Sequence, residues 1–147
     1  MKKLSETYEE LGIAFTFPIE IKDGSGKQTY YEDSYGFWYR FEYDEKGKET
    51  YYEDSDAYWY RYEYDKEGKE TYYENSDGFW QRREYDEDRN QTYYEDSNGY
   101  WYRREYDKDG NETYYENSNG DIEGIKRSSC AGKVIEVDGK KYKLTEL

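Results

Sequence analysis

Four tryptophans, Trp38, Trp59, Trp80 and Trp101, fall 21 residues apart in a chain of 147, and a Thr-Tyr-Tyr-Glu run recurs with the same period at Thr29, Thr50, Thr71, Thr92 and Thr113. A repeat of this length must be one supersecondary unit stacked on its neighbours. Four full copies occupy 29–112 and a half copy follows at 113–120. The lead-in Ile19–Gln28 imitates the second half of a unit, with one extra residue expected in its turn.

Each copy holds two strand signals and two turn signals. Thr-Tyr-Tyr-Glu is short and rich in strand formers. An Asx-Ser-Asx-Gly turn follows, then a longer run such as Tyr100-Trp101-Tyr102-Arg103-Arg104-Glu105-Tyr106, then Asp107-Lys108-Asp109-Gly110-Asn111. Turns every 8–12 residues mark an antiparallel meander. The expectation is an all-β repeat sheet of four to five two-strand units, with nine or ten strands between about Phe15 and Gly120.

Side chains alternate across a strand, so the long run separates two faces. One carries Trp38/Arg40, Trp59/Arg61, Trp80/Arg82 and Trp101/Arg103, each followed by Glu, and reads as the structural repeat face. The other carries Tyr39 and Phe41, Tyr60 and Tyr62, Gln81 and Arg83, Tyr102 and Arg104, and is the candidate binding surface. Which Tyr of each Thr-Tyr-Tyr-Glu run joins the tryptophan face stays open. Opposed residues of an antiparallel pair share a face. An odd repeat with two odd loops would therefore flip every copy. Equivalent copies require one odd and one even loop, or a bulge. Arg89 replaces the second-turn Gly in the third copy, so that turn must tolerate a non-Gly residue or rearrange.

Composition fits an aromatic sheet in place of an aliphatic core. Leu, Ile, Val and Phe make up about 12% of the chain, a level that with high net charge usually signals disorder. Yet 23 Tyr and 4 Trp take their place at fixed strand positions, and such side chains bury large areas while their polar tips stay wet. The net charge is −14, of which −13 lies in 29–112. That potential opposes direct nucleic-acid binding, which needs cationic surface. No window approaches a transmembrane span, and Met1-Lys2-Lys3-Leu4-Ser5-Glu6 leads into no apolar core, so a cytoplasmic location is expected. There is no histidine and one cysteine, Cys130. The sequence offers no catalytic constellation, cofactor motif or metal site.

Tyr62-Glu63-Tyr64-Asp65-Lys66-Glu67-Gly68 resembles the YD repeat of Rhs, teneurin and toxin-complex proteins. In that family, units of roughly 20 residues carrying Tyr-x-Tyr-Asp-x-x-Gly build spiralling β-sheet shells. Phe41-Glu42-Tyr43-Asp44 fits nearly, while Arg83 and Arg104 depart from the first Tyr. Four copies are too few for a closed shell, so encapsulation does not carry over. The chain is also similar to small Tyr-rich repeat proteins encoded by bacteriophages, whose roles are largely unassigned, and to aromatic cell-wall-binding repeats.

The ends differ from the middle. In 1–28, Ser5–Gly12 reads as a short helix with Ser5 as N-cap, followed by an Ile13–Phe17 strand, together forming a cap over the sheet edge. Residues 121–132 read as a linker and 133–147 as a hairpin turning at Asp138-Gly139.

Three functions fit this surface. The first is a non-enzymatic binding protein, phage-encoded and acting in the host cytoplasm. It would inhibit a host defence or nucleic-acid-binding protein by presenting an acidic, DNA-like surface to a basic one. The second is a module that stacks a glycan or small signalling molecule on its aromatic face. The third is an assembly protein that forms homo-oligomers, since two aromatic faces exceed what monomers usually expose.

Overall fold

The computed structural model describes residues 2–126, 134–137 and 140–143. One helix, α1 (Leu4–Leu11), precedes an antiparallel sheet. Its strands are β1 (Ile19–Lys22), β2 (Gln28–Glu32), β3 (Trp38–Tyr43), β4 (Glu49–Asp54), β5 (Trp59–Tyr64), β6 (Glu70–Asn75), β7 (Trp80–Tyr85), β8 (Gln91–Asp96), β9 (Trp101–Tyr106), β10 (Glu112–Asn117) and β11 (Ile122–Gly124). They lie side by side in sequence order, so the fold is an all-β meander. A separate hairpin pairs β12 (Val134–Val137) with β13 (Lys140–Lys143). The Asp138-Gly139 turn lies outside the described residues, as does Cys130.

Both connections in a unit are three-residue loops. At one end Asp44 N–H donates to the Lys48 carbonyl and Gly47 N–H to the Asp44 carbonyl, at 2.8 and 2.9 Å; at the other, Asp54 and Tyr58, then Ala57 and Asp54, repeat the pattern at 3.0 and 3.2 Å. The Asx opening each loop holds it shut from within: Asp44 Oδ1 accepts the N–H groups of Lys46 and Lys48. The third loop residue is left-handed, which suits Gly. Ala57 and Arg89 adopt that conformation at φ 65° and 72°, and the Arg89 turn keeps the usual hydrogen bonds. The lead-in turn has the same length as the others, with Asp23 N–H donating to the Lys27 carbonyl; the extra residue expected there does not exist.

Two equal odd loops would turn successive tryptophans to opposite faces. A β-bulge at the repeat threonine prevents it. Glu42 stands opposite Tyr51, but Tyr43 stands opposite Glu49, leaving Thr50 unpaired. The same slip leaves out Thr29, Thr71, Thr92 and Thr113. Each bulge consumes one residue and restores the face. The first Tyr of every run, such as Tyr51 opposite Arg61, thereby joins the tryptophan face, and the second, such as Tyr52 opposite Tyr60, the tyrosine face.

The sheet is a single layer, and its core sits at the ends. Ile19, Tyr30, Trp38 and Tyr114 are the buried apolar residues among those described. Leu4, Tyr8 and Phe15 pack on the first three, so α1 covers the tryptophan face of the first strands rather than the sheet edge. Ser5 is not the N-cap: it lies inside α1, Lys3 occupies the cap position without a side-chain bond, and a distant glutamate does the capping. Gly12 ends the helix at φ 65°. Residues 13–17 form no strand. Phe15 instead packs between Tyr8 and Phe17, at ring distances of 5.8 and 5.3 Å. The stretch expected as a linker opens with β11, where Gly124 meets the chain so closely that a Cβ would lie 2.1 Å from the Thr113 carbonyl oxygen.

Candidate interaction surface

The tryptophan face is built in rows that cross the strands. The pairings Glu42–Tyr51, Tyr51–Arg61, Arg61–Glu74 and Glu74–Trp80 make one row, and the next repeats it as Glu63, Tyr72, Arg82, Glu95 and Trp101. Each arginine meets the carboxylate opposite: Arg40 with Glu53 and Arg61 with Glu74 at 2.8 Å, Arg82 with Glu95 at 3.0 Å. Each also lies over a tyrosine, with Arg40, Arg61 and Arg82 at 4.9, 5.3 and 5.3 Å from the centres of Tyr51, Tyr72 and Tyr93. Two glutamates for every arginine leave this face acidic. Outside the first unit its tryptophans are half-buried.

The first unit breaks the pattern at one residue, and that residue positions α1. Ile19 stands opposite Glu32 where Arg40 stands opposite Glu53. With no arginine to satisfy it, Glu32 accepts the Ser5 N–H at 3.0 Å, the Ser5 hydroxyl, and the Tyr30 hydroxyl at 2.9 Å. Burial pushes the Glu32 carboxyl up, but the Ser5 and Tyr30 bonds outweigh it and hold the group below the ordinary glutamate value. Burial raises the Tyr30 hydroxyl to about 12. Lys3 Nζ donates to the Gly36 carbonyl at 2.9 Å, fixing the helix start beside the adjoining turn.

The pairing gathers all eight candidate binding residues on the tyrosine face. Tyr39 stacks on Tyr31 and Tyr60 on Tyr52, each pair 5.0 Å apart and 12° from parallel; Tyr102 stacks on Tyr94 at 5.3 Å and 14°. Phe41 and Tyr62 pack edge-on against Tyr39 and Tyr60. The other sides of Tyr39 and Tyr60 meet Tyr52 and Tyr73 at 6.2 and 6.4 Å. Ring faces are thus spent on one another, leaving edges and hydroxyls outward. Burial raises the Tyr52 hydroxyl to about 12, with Asp54 adding to the shift, and burial with Glu49 raises Tyr60 strongly. In the third copy Gln81 interrupts the stack. It and Arg83 both bond Glu70. Arg104 pairs with Glu112 at 3.3 Å and lies 4.6 Å over Tyr102.

One set of turns is stitched by lysines that sequence reasoning did not single out. Lys27 donates to the Gly47 carbonyl, Lys48 to Gly68 and Lys69 to Arg89, and each ammonium lies over a tyrosine: Tyr43, Tyr64 and Tyr85. Their own 21-residue spacing was the available signal. Asn90 ends the series and bonds Asp86 of its own turn. Among the described residues no group of three or more Cys, Asp or Glu is arranged to hold a metal ion, and no helix is long and apolar enough to cross a membrane.

The chain is thus a Tyr- and Trp-rich antiparallel meander of paired strands, one set of its turns carrying Asp-x-x-Gly. No family model matches it, and no curated protein matches it in sequence. Solved structures do resemble it, among them the crystal structure of TcdB2-TccC3-TEV. That likeness has a TM-score of 0.50 at 16% identity and covers 80% of this chain but 6% of the other. It bears on the fold alone, and this chain spans a small part of its neighbour's length.

Proposed function

We propose that this protein is a non-enzymatic binding scaffold whose acidic repeat surface engages a protein partner through a basic surface. The row pattern of the tryptophan face carries this reading: each unit sets two glutamates against one arginine, so a net negative charge remains even where Arg40 bonds both Glu42 and Glu53. The excess recurs unit after unit, so a partner with regularly spaced cations gains from every copy. Such complementarity gives fast, salt-sensitive association. The finer form of the proposal is a phage-encoded inhibitor in the host cytoplasm that occupies the DNA site of a defence or nucleic-acid-binding protein. Stacking of a ligand on the Tyr39 and Tyr60 rings is the weaker alternative, because both sides of each ring already face a neighbour.

The test is capture of basic nucleic-acid-binding proteins from host lysate at low salt, their release at high salt, and competition by duplex DNA. Recovery without DNA competition would remove the DNA-mimic form. Recovery of no basic protein would remove the proposal. Light scattering on the same preparation distinguishes assembly: a monomer at high concentration excludes the self-associating alternative.

A further inference from the structure

The molecule contains its own example of what the tryptophan face accepts. α1 rests on Ile19, Tyr30 and Trp38 through Leu4 and Tyr8, one helical turn apart, with Phe15 beside them. Its polar contacts fall on Tyr30, Glu32 and Gly36, so its footprint is one unit wide. The equivalent positions Tyr51 and Trp59 in the next unit line an uncovered cleft of about 350 Å³ with Arg61 and Glu74. The repeat brings the Tyr and Trp of this surface back every two strands, about 9.6 Å at the usual strand spacing, with Arg40, Arg61 and Arg82 in the place of Ile19. Helices pack with their axes 8–10 Å apart. The pitch of the sheet therefore matches the width of a helix, and Trp59, Trp80 and Trp101 offer three further berths beside α1.

We propose that the tryptophan face of the later units docks basic amphipathic helices of a partner, one per unit and alongside α1. The proposal rests on the basic-partner reading and specifies its secondary structure and the face it meets. Continuity with the α1 interface argues for a helix. Apolar residues at i and i+4 would meet Tyr51 and Trp59 or Tyr72 and Trp80, as Leu4 and Tyr8 meet Tyr30 and Trp38. The surplus glutamates, exposed Glu63 and Glu84 among them, argue for lysine or arginine on the flanks of the helix. The helix need not begin at the sheet as α1 does, because Arg61 and Arg82 already hold Glu74 and Glu95.

The probes are a synthetic Leu/Lys peptide with helical amphipathic spacing and a peptide of the same composition in scrambled order, each titrated into the full chain. The expected result is preferential binding of the amphipathic peptide, up to three per chain, with blue-shifted tryptophan emission and reduced acrylamide quenching. Trp59→Ala with Trp80→Ala weakens binding on the order of tenfold, as loss of buried aromatic contacts does, while Tyr58→Ala at an exposed position of the other face leaves it unchanged. Wild-type emission keeps the test valid should the double variant unfold. Equal binding of the two peptides, or unchanged tryptophan emission, overturns helix docking and leaves the basic-partner reading standing. Binding of neither peptide removes both.

Discussion

Glu32 is screened from solvent to 1% exposure and yet held ionised, because the start of α1 turns an N–H and a hydroxyl onto it. It does for a helix from another strand what an N-cap side chain does locally. Glu32→Gln should weaken α1 docking by about 1–3 kcal/mol, the cost of losing charge-assisted bonds to a buried group. Helical circular dichroism and Trp38 emission would report it. The pH dependence follows from the lowered value in the folded chain. Docking energy is fully present above the ordinary glutamate range and is lost as pH falls through the depressed value. Acid titration should therefore release α1 below that range, and Glu32→Gln should abolish the transition. Ser5 looked like the cap because it precedes acidic helix residues. The actual cap lies 27 positions away, where no local pattern reaches.

At the scale of strands and turns, much was legible. The 21-residue period gave the meander, the alternation Trp-x-Arg-x-Glu gave one face, and the Asx and Gly positions gave the turns. The face of each Thr-Tyr-Tyr-Glu strand was hidden, since unequal loops and a bulge satisfy the same parity. The structure takes the bulge, and it does so at threonine in every copy. Deleting Thr71 removes the bulge together with the residue it consumes, so Tyr72 and Glu70 should keep their partners Glu63 and Tyr64, Trp80 and Arg82 should stay on their face, and native near-ultraviolet dichroism should persist in the later copies. The lysine ladder gives a different kind of expectation. Asn90→Lys should let the fourth turn reach the Gly110 carbonyl and lie over Tyr106, stabilising the chain by about 0.5–1 kcal/mol in thermal melts, the range for an exposed cation–π contact.

The whole molecule is held by aromatic contacts between neighbours, so its stability is expected to behave as a sum over units. Alkali attacks every unit at once. Burial raises many tyrosine hydroxyls, Tyr39, Tyr62, Tyr64, Tyr85, Tyr94 and Tyr102 among them, and Tyr30 and Tyr52 to about 12. A raised tyrosine stabilises the fold below its ordinary value of 10, and the stabilisation is lost as pH climbs through the raised value. Phenolate absorbance should lag that of free tyrosine above pH 10 and then rise together with loss of strand signal near 12. Independent phenolate formation without unfolding would show that the hydroxyls do not sustain the sheet. The threonine bulge bears on how such a protein changes over generations. Because every unit corrects its own parity, unequal recombination between near-identical copies can add or remove a unit and leave all other side chains where they were. The sheet is in that sense a ruler with fixed graduations, whose reach can be reset one notch at a time without redesigning what is printed on either side.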